Sequence, residues 1–288
     1  MSDFVFPARR AHARMVSSAM REAQQRTVQV LNDSGLVVWT GPSRQGKTTT
    51  ATWMRDEINQ AYGPDNPDAF KAHYYEVGEI PDTFQDGGKK AIRGMYHSSL
   101  GRLDEGTYRG LMPEQLAAQL VHGLALRNIE LVFVDEAGLL SLKAIRGLVL
   151  VRDTAHNAGQ RLTIVFIGMD DLPEKLNIDE QVKNRVQEWV FFDEFTLEET
   201  SELMCLLHPP FAEKSLKDEG TRECVEWVHE KCSGRPGLVV ALIQKAVPLA
   251  EQEGTELNLT LIRAARLLTQ RDRKAALDRG RPQAVTTK

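Results

Sequence analysis

Cysteine is scarce in this chain: three residues in 288, Cys205, Cys224 and Cys232, with no CxxC pair. An odd number at uneven spacing excludes a disulfide framework. Cys232 and the nearby His229 supply two ligands where a structural zinc needs four. No run of 18 apolar residues occurs, so no membrane-spanning helix and no membrane partner are expected. The opening MSDFVFPARRAHARM has no apolar run behind its charges and does not read as a secretory signal. A cytoplasmic protein is the expectation. A basic surplus is also missing. The formal net charge is -4, so any contact with nucleic acid must come from a local basic patch. Nor is there an aromatic ladder on which single-stranded bases would stack.

Apolar residues, by contrast, make up 42% of the chain, enough for a sizeable core, and 288 residues suit a large α/β domain with a small appendage. Ala8–Leu31 lacks Gly and Pro and predicts a helix, closed by NDSG at Asn32–Gly35. Strands are predicted at LVVWT (Leu36–Thr40), AHYYEV (Ala72–Val77), IELVFV (Ile129–Val134), RLTIVFIG (Arg161–Gly168) and VQEWVFF (Val186–Phe192). The near-continuous apolarity of the third and fourth suits strands buried on both faces of a parallel sheet. Helices are expected at Lys47–Ala61, from about Lys89, and at Pro113–Arg127 and Leu142–Asn157, while the polar, glycine-rich Gly101–Gly110 predicts a loop. Strands alternating with helices imply right-handed crossovers. After Thr196 only helices are expected: Leu197–Leu207, Gly220–Lys231, Pro236–Ala250 and Thr260–Ala276. The predicted organisation is an N-terminal helical segment (1–35), an α/β nucleotide-binding domain (36–195), a small all-helical lid (196–276) and a disordered tail (277–288).

Gly41-Pro42-Ser43-Arg44-Gln45-Gly46-Lys47-Thr48 meets GxxxxGK[ST] at each fixed position, with a strand before it and a helix after it. Glycines let the backbone turn its N–H groups toward phosphate oxygens, and the helix N-terminus adds partial positive charge. Lys47 is expected to bridge the β- and γ-phosphates of ATP, and Thr48 to offer its hydroxyl to Mg2+; Thr49 is counted with the loop. Asp135, closing LVFVDEA, is the expected carboxylate partner of Mg2+. Glu136 follows directly and can polarise an attacking water, which favours hydrolysis over transfer to a substrate hydroxyl. The next strand ends in GMDD, where Asp170 is a candidate γ-phosphate sensor, although Met169 stands where Thr or Asn would serve better. Arg185, just before the last strand, is placed to reach a neighbouring subunit's γ-phosphate or simply to lie on the surface. Arg235 in SGRPG either contacts nucleotide from the lid or only opens a helix ahead of Pro236.

Taken in order, GPSRQGKT, LVFVDEA, IVFIGMDDL, DEQVKNRV and SGRPGLVVALIQKAV resemble the P-loop AAA+ ATPases that regulate DNA transposition, the TnsC/TniB type, with MuB and IstB as relatives. The resemblance spans about Leu36 to Leu268. It implies a P-loop AAA+ fold, Mg-dependent ATP hydrolysis, and hexameric or heptameric rings or helical filaments around duplex DNA. It further implies recruitment of a transposase, a target-selection partner, and release on hydrolysis, with Arg185 acting in trans. Met169 stands where these proteins usually carry Thr. Arg235 occupies a lid position that often lacks arginine in the compact members.

In that family DNA is held between the second strand and the Asp135 strand. Here that interval carries Lys89, Lys90, Arg93, Arg102 and Arg109, with few acidic residues. Phosphate neutralisation gives salt-dependent, sequence-independent affinity, and a ring repeats a few cations many times. By family likeness Lys89 or Lys90 and Thr107 are the backbone-contacting candidates; from the residues alone the run reads more readily as a solvated helix face. A second basic cluster, Arg263, Arg266, Arg271, Arg273, Lys274 and Arg279, reads as an exposed lid face, a DNA contact or a docking point for a transposition partner. Other readings share the nucleotide residues: a helicase loader, an initiator-like ATPase, or a nucleotide-gated scaffold with little turnover. A P-loop small-molecule kinase fits less well, because the lid follows the core and Glu136 favours water.

Overall fold

The computed structural model describes residues 17–62, 69–78, 87–101, 105–211 and 218–267. The expected helix start at Ala8, the site candidate Arg102, the tail expected at 277–288, and Arg271, Arg273, Lys274 and Arg279 of the second basic cluster lie outside them. The chain divides into two compact units, one ending at Asp193 and the other beginning at Glu194.

The first unit runs α1 (Ser18–Leu31), β1 (Leu36–Thr40), α2 (Lys47–Ala61), β2 (Lys71–Glu76), α3 (Gly87–Leu100), α4 (Glu105–Gly110), α5 (Pro113–Leu126), β3 (Ile129–Asp135), a 3-10 turn (Ala137–Leu139), α6 (Leu142–Asn157), β4 (Thr163–Ile167), α7 (Leu172–Asn177), α8 (Glu180–Lys183) and β5 (Val186–Phe191). The strands form one sheet in the order β2-β3-β4-β1-β5, every pairing parallel. This is the parallel α/β architecture expected from the apolar runs. Each central strand is buried on both faces, and its residues alternate between two cores. Leu36, Val38, Val132, Val134, Ile164 and Phe166 pack with α3, α5 and α6 residues. Val37, Trp39, Leu131, Phe133, Val165 and Ile167 pack with residues of α1 and α2. That double burial explains why the sequence lacks a polar alternation along these strands.

One expectation fails. Gly101–Gly110 was expected to be loop, but Glu105–Gly110 is helical. Tyr108 is buried to 9% exposure in the larger core, and that anchor outweighs the local glycine and polar composition. The short helices α7 and α8, which lie between β4 and β5, also have no signal in the apolar periodicity; each is too short to show one.

The second unit is helical: α9 (Leu197–Leu207), α10 (Glu219–Cys232), α11 (Pro236–Glu253) and helical residues 259–267. Thr196 opens α9 with a capping box: its hydroxyl accepts the Glu199 N–H at 3.1 Å, and the Glu199 carboxylate accepts the Thr196 N–H at 3.0 Å. Its core gathers Met204, Val228, Val239, Ile243 and Ile262 with Cys224 and Cys232. Burial pushes both thiols up to about 11, so they stay protonated and behave as small apolar groups. Arg263 and Arg266 both stand 5.6 Å over the Trp227 ring.

A close approach of α3 and α6 in the first unit depends on two glycines. A Cβ at Gly147 of α6 would lie 2.4 Å from the Gly88 carbonyl oxygen of α3. Gly147→Ala is therefore expected to force the helices apart and to cost about 1–3 kcal/mol. Thermal unfolding checks this; a midpoint equal to the wild type's would show that α3 yields freely.

Candidate functional site

The site is built at the carboxyl ends of β1, β3 and β4, where open parallel sheets bind ligands. At the end of β1 the chain turns through Gly41, whose φ is 148°. A Cβ there would sit 2.5 Å from the Phe192 carbonyl oxygen, so glycine alone fits. Arg44 (φ 68°) and Gly46 (φ 90°) complete the turn, and Gly46 caps α2. Ser43, Arg44, Thr48 and Thr49 are exposed, while Pro42 is half-buried. Gln45 is buried, and its amide has no hydrogen-bond partner among the described residues.

Lys47 folds back over this loop, donating to the Gly41 carbonyl at 2.6 Å and the Pro42 carbonyl at 2.7 Å. Burial pushes its ammonium below the ordinary lysine value, opposed by Asp170, Asp135 and Glu136 in that order. The field at Lys47 thus joins three of the carboxylates picked from the sequence. The Thr48 hydroxyl donates to Asp135 Oδ2 at 2.5 Å, and the Glu136 N–H donates to Asp135 Oδ1 at 2.8 Å. Asp135 is 4% exposed, whereas Glu136 is exposed and adopts a left-handed backbone, φ 56° and ψ 33°. Thr40 donates to the Met169 carbonyl at 2.7 Å, which ties the end of β4 to the loop one residue before Asp170.

Tyr74 belongs here too, and no motif announced it. Its hydroxyl donates to Asp135 Oδ2 at 2.7 Å. Burial, then the hydrogen bond to Asp135, pushes its phenol well above the ordinary tyrosine value, so it remains a donor. The only hint in the sequence is that AHYYEV forms the strand beside the Asp135 strand.

Arg185 lies just before β5. Its guanidinium donates to Asp153 Oδ2 at 2.8 Å and to the Gln181 carbonyl at 2.8 Å, and Arg152 also binds Asp153. Arg235 is the N-cap of α11 in the second unit, with its Nε buried and without a partner among the described residues. Lys89 and Arg93 meet over Tyr108, with Lys89 Nζ 4.6 Å and the Arg93 guanidinium 4.3 Å over the ring, and Lys89 also donates to the backbone carbonyl of Arg109 at 3.4 Å. Lys90 is half-buried on α3. The side chain of Thr107 lies outside the described set.

The family model described as AAA domain matches residues 30–176, slightly more than half of the chain. The chain belongs to the AAA domain family. Nucleotide binding and ATP hydrolysis are the activity this membership supports. No curated relative matches the sequence. Among solved structures it is similar to the Aeropyrum pernix ORC2 protein in ADPNP–ADP complexes, with TM-score 0.61 and 15% identity over 92% of this chain and 69% of that one. It is similar also to A. pernix ORC1 in complex with DNA (0.58, 18%, 91% and 69%) and to Drosophila ORC bound to DNA (0.60, 16%, 98% and 73%). At these identities the likeness is one of fold, and the fold is that of the P-loop AAA+ ATPases. Among the described residues of this AAA protein no helix is long and apolar enough to cross a membrane.

The segment leading to Arg185 depends on Asp179. Its Oδ1 accepts the Gln181 and Val182 N–H groups at 3.1 and 3.4 Å, capping α8, and its Oδ2 accepts from Arg146. The Arg146 hydrogen bond, with the cap bonds, holds this carboxyl below the usual range against the opposing effect of burial. A carboxyl depressed in the folded state stabilises fully above its unfolded pKa of about 4 and loses that contribution as pH falls through the folded value. Asp179→Ala is expected to cost about 1 kcal/mol at neutral pH. The gap to wild type should narrow between pH 5 and pH 3 in denaturant unfolding; a gap that widens on acidification contradicts it.

Proposed function

We propose that this AAA protein is a cytoplasmic ATPase that binds ATP with Mg2+ between copies of itself, assembles on duplex DNA and leaves it on hydrolysis. We further propose that this cycle regulates transposition, with the DNA-bound oligomer, a hexamer or heptamer in ring or filament form, recruiting a transposase and meeting a target-selection protein. The observation that carries the nucleotide part is the Thr48–Asp135 contact with Glu136 beside it.

A hydroxyl and a carboxylate are hard oxygen donors of the kind Mg2+ takes together with nucleotide phosphates. Thr48 donates its proton to Asp135, which leaves its oxygen lone pairs free to face a cation. Among the described residues no group of three or more His, Cys, Asp or Glu is placed to hold a metal alone, consistent with an ion shared with phosphate. Thr48 and Asp135 would hold such an ion, which would supply neutralising charge at the nucleotide phosphates. Lys47 then adds a cation at the same phosphates, and the exposed Glu136 carboxylate orients the attacking water. Asp170 senses the γ-phosphate from the end of β4, and Arg235 meets nucleotide from the lid. Arg185 serves a neighbouring copy, its side chain 39% exposed while Asp153 holds one edge of the guanidinium.

The DNA part is supported by the cations gathered on α3 and α4, Lys89, Lys90, Arg93 and Arg109, joined in the proposal by Arg102 and Thr107. DNA-bound neighbours of the same fold add support. The chain's likeness in fold to these ORC proteins also favours a second reading, an initiator-like ATPase. The two part on whether the protein stimulates strand transfer by a transposase.

Electron microscopy with linear duplex DNA tests the assembly. Wild type with a slowly hydrolysed ATP analogue should show rings or filaments, and Lys47→Ala should show none. Glu136→Gln should keep ATP binding and retain DNA-bound oligomers in ATP itself; faster disassembly would contradict the role of Glu136. Lys89→Glu with Lys90→Glu should weaken DNA binding at least about tenfold and flatten its dependence on salt. A salt slope equal to the wild type's, with folding intact, counts against this patch.

A further inference from the structure

We propose that Tyr74 is a positioning residue for the magnesium ion of the nucleotide site, acting through the Asp135 carboxylate. This rests on the reading of Thr48 and Asp135 as the protein partners of that ion.

Asp135 is 4% exposed, so water does little to satisfy or orient its carboxylate. A carboxylate offers about four acceptor positions. Three are filled by protein: Thr48 and Tyr74 on Oδ2, at 2.5 and 2.7 Å, and the Glu136 N–H on Oδ1 at 2.8 Å. One remains for the ion or a water bound to it. The three donors differ in kind. Thr48 must itself face the ion. The Glu136 N–H is backbone and grips one oxygen only. Tyr74 alone holds Oδ2 without another task at the phosphate, so it fixes the rotation of the carboxylate about its last bond.

Its own placement is fixed by the sheet. Tyr74 pairs in register with Phe133, and its ring packs against the core beneath α1 and α2, with the Arg55 guanidinium 6.0 Å from the ring centre. From there the hydroxyl reaches two positions along the neighbouring strand to Asp135. The next residue, Tyr75, points to the opposite core, over Gly94. With phenylalanine at 74 the ring packing survives, but Oδ2 keeps Thr48 alone and the carboxylate is free to turn away from the ion. Partners of metal ligands at this remove are typically worth about 10–100-fold in metal affinity.

The test uses the full chain and a fluorescent ATP analogue, titrated in EDTA and at graded free Mg2+. Lys47→Ala marks loss of the phosphate site under both conditions. Tyr74→Phe should bind the analogue in EDTA as the wild type does, which also reports an intact fold. The free Mg2+ giving half the gain in affinity should rise about tenfold. Tyr75→Phe should titrate as wild type. A Tyr74→Phe curve that coincides with wild type overturns the proposal and leaves the magnesium reading standing. Equal loss of affinity in EDTA and in Mg2+ overturns it too, by making Tyr74 a support of the loop. A wild-type affinity indifferent to Mg2+ overturns both.

Discussion

Three donors converge on the Asp135 carboxylate, and the rest of the nucleotide site depends on that convergence. They come from the first turn of α2, from β2, and from the residue after β3 itself. A buried carboxylate without partners costs several kcal/mol, whereas a hydrogen bond to a charged group contributes about 1.5–3 kcal/mol. The carboxylate therefore acts as a register pin. It is satisfied only when β2 pairs with β3 as observed and when α2 starts where Gly46 lets it start. The phosphate loop, the strand beside it and the acidic strand end are held in one arrangement by a single side chain.

Strain sits immediately next to that pin. Glu136 adopts a left-handed backbone, which costs a non-glycine residue about 1–3 kcal/mol. The neighbours supply the offset. Leu139 and Leu140 N–H groups close a tight turn onto the Glu136 and Ala137 carbonyls at 2.9 and 3.1 Å, and Ala137 and Leu140 are fully buried. The chain is thus forced to reverse direction at Glu136, and the reversal leaves the Glu136 side chain exposed while both its flanks are packed. In the role proposed for Glu136 such a reversal matters, because an extended continuation of β3 would carry the carboxylate away from the loop.

Much of this was legible in the sequence, for reasons that differ by element. The five strands were readable because double burial writes long apolar runs, and GPSRQGKT because its constraints are local. Asp135 was readable because it ends such a run. Tyr74 was not: its role comes from the pairing of β2 with β3, a contact between residues 61 positions apart. Asp153 was hidden for the same reason, since it meets Arg185 only when α6 returns beside the start of β5. The helix α4 was hidden because its signal is one aromatic, Tyr108, in a stretch otherwise composed like a loop.

Tyr108 also bears on how a chain with a net charge of -4 can present a cationic face. Lys89 and Arg93, one helical turn apart on α3, repel each other, and an exposed pair of this kind would spread its side chains. The ring beneath them offers its negative face to both, at 4.6 and 4.3 Å, each contact contributing about 0.5–1 kcal/mol. That is comparable to the repulsion between neighbouring like charges on a helix, about 0.2–0.5 kcal/mol. The aromatic thus gathers the cations and simultaneously anchors α4, so the patch and the helix that completes it form together. Cations ordered before a polyanion arrives lose less side-chain entropy on contact, about 0.5–1.5 kcal/mol for each chain already immobilised. On the proposed reading, a small, ordered patch repeated in an oligomer would do through multiplicity what the chain's overall charge cannot.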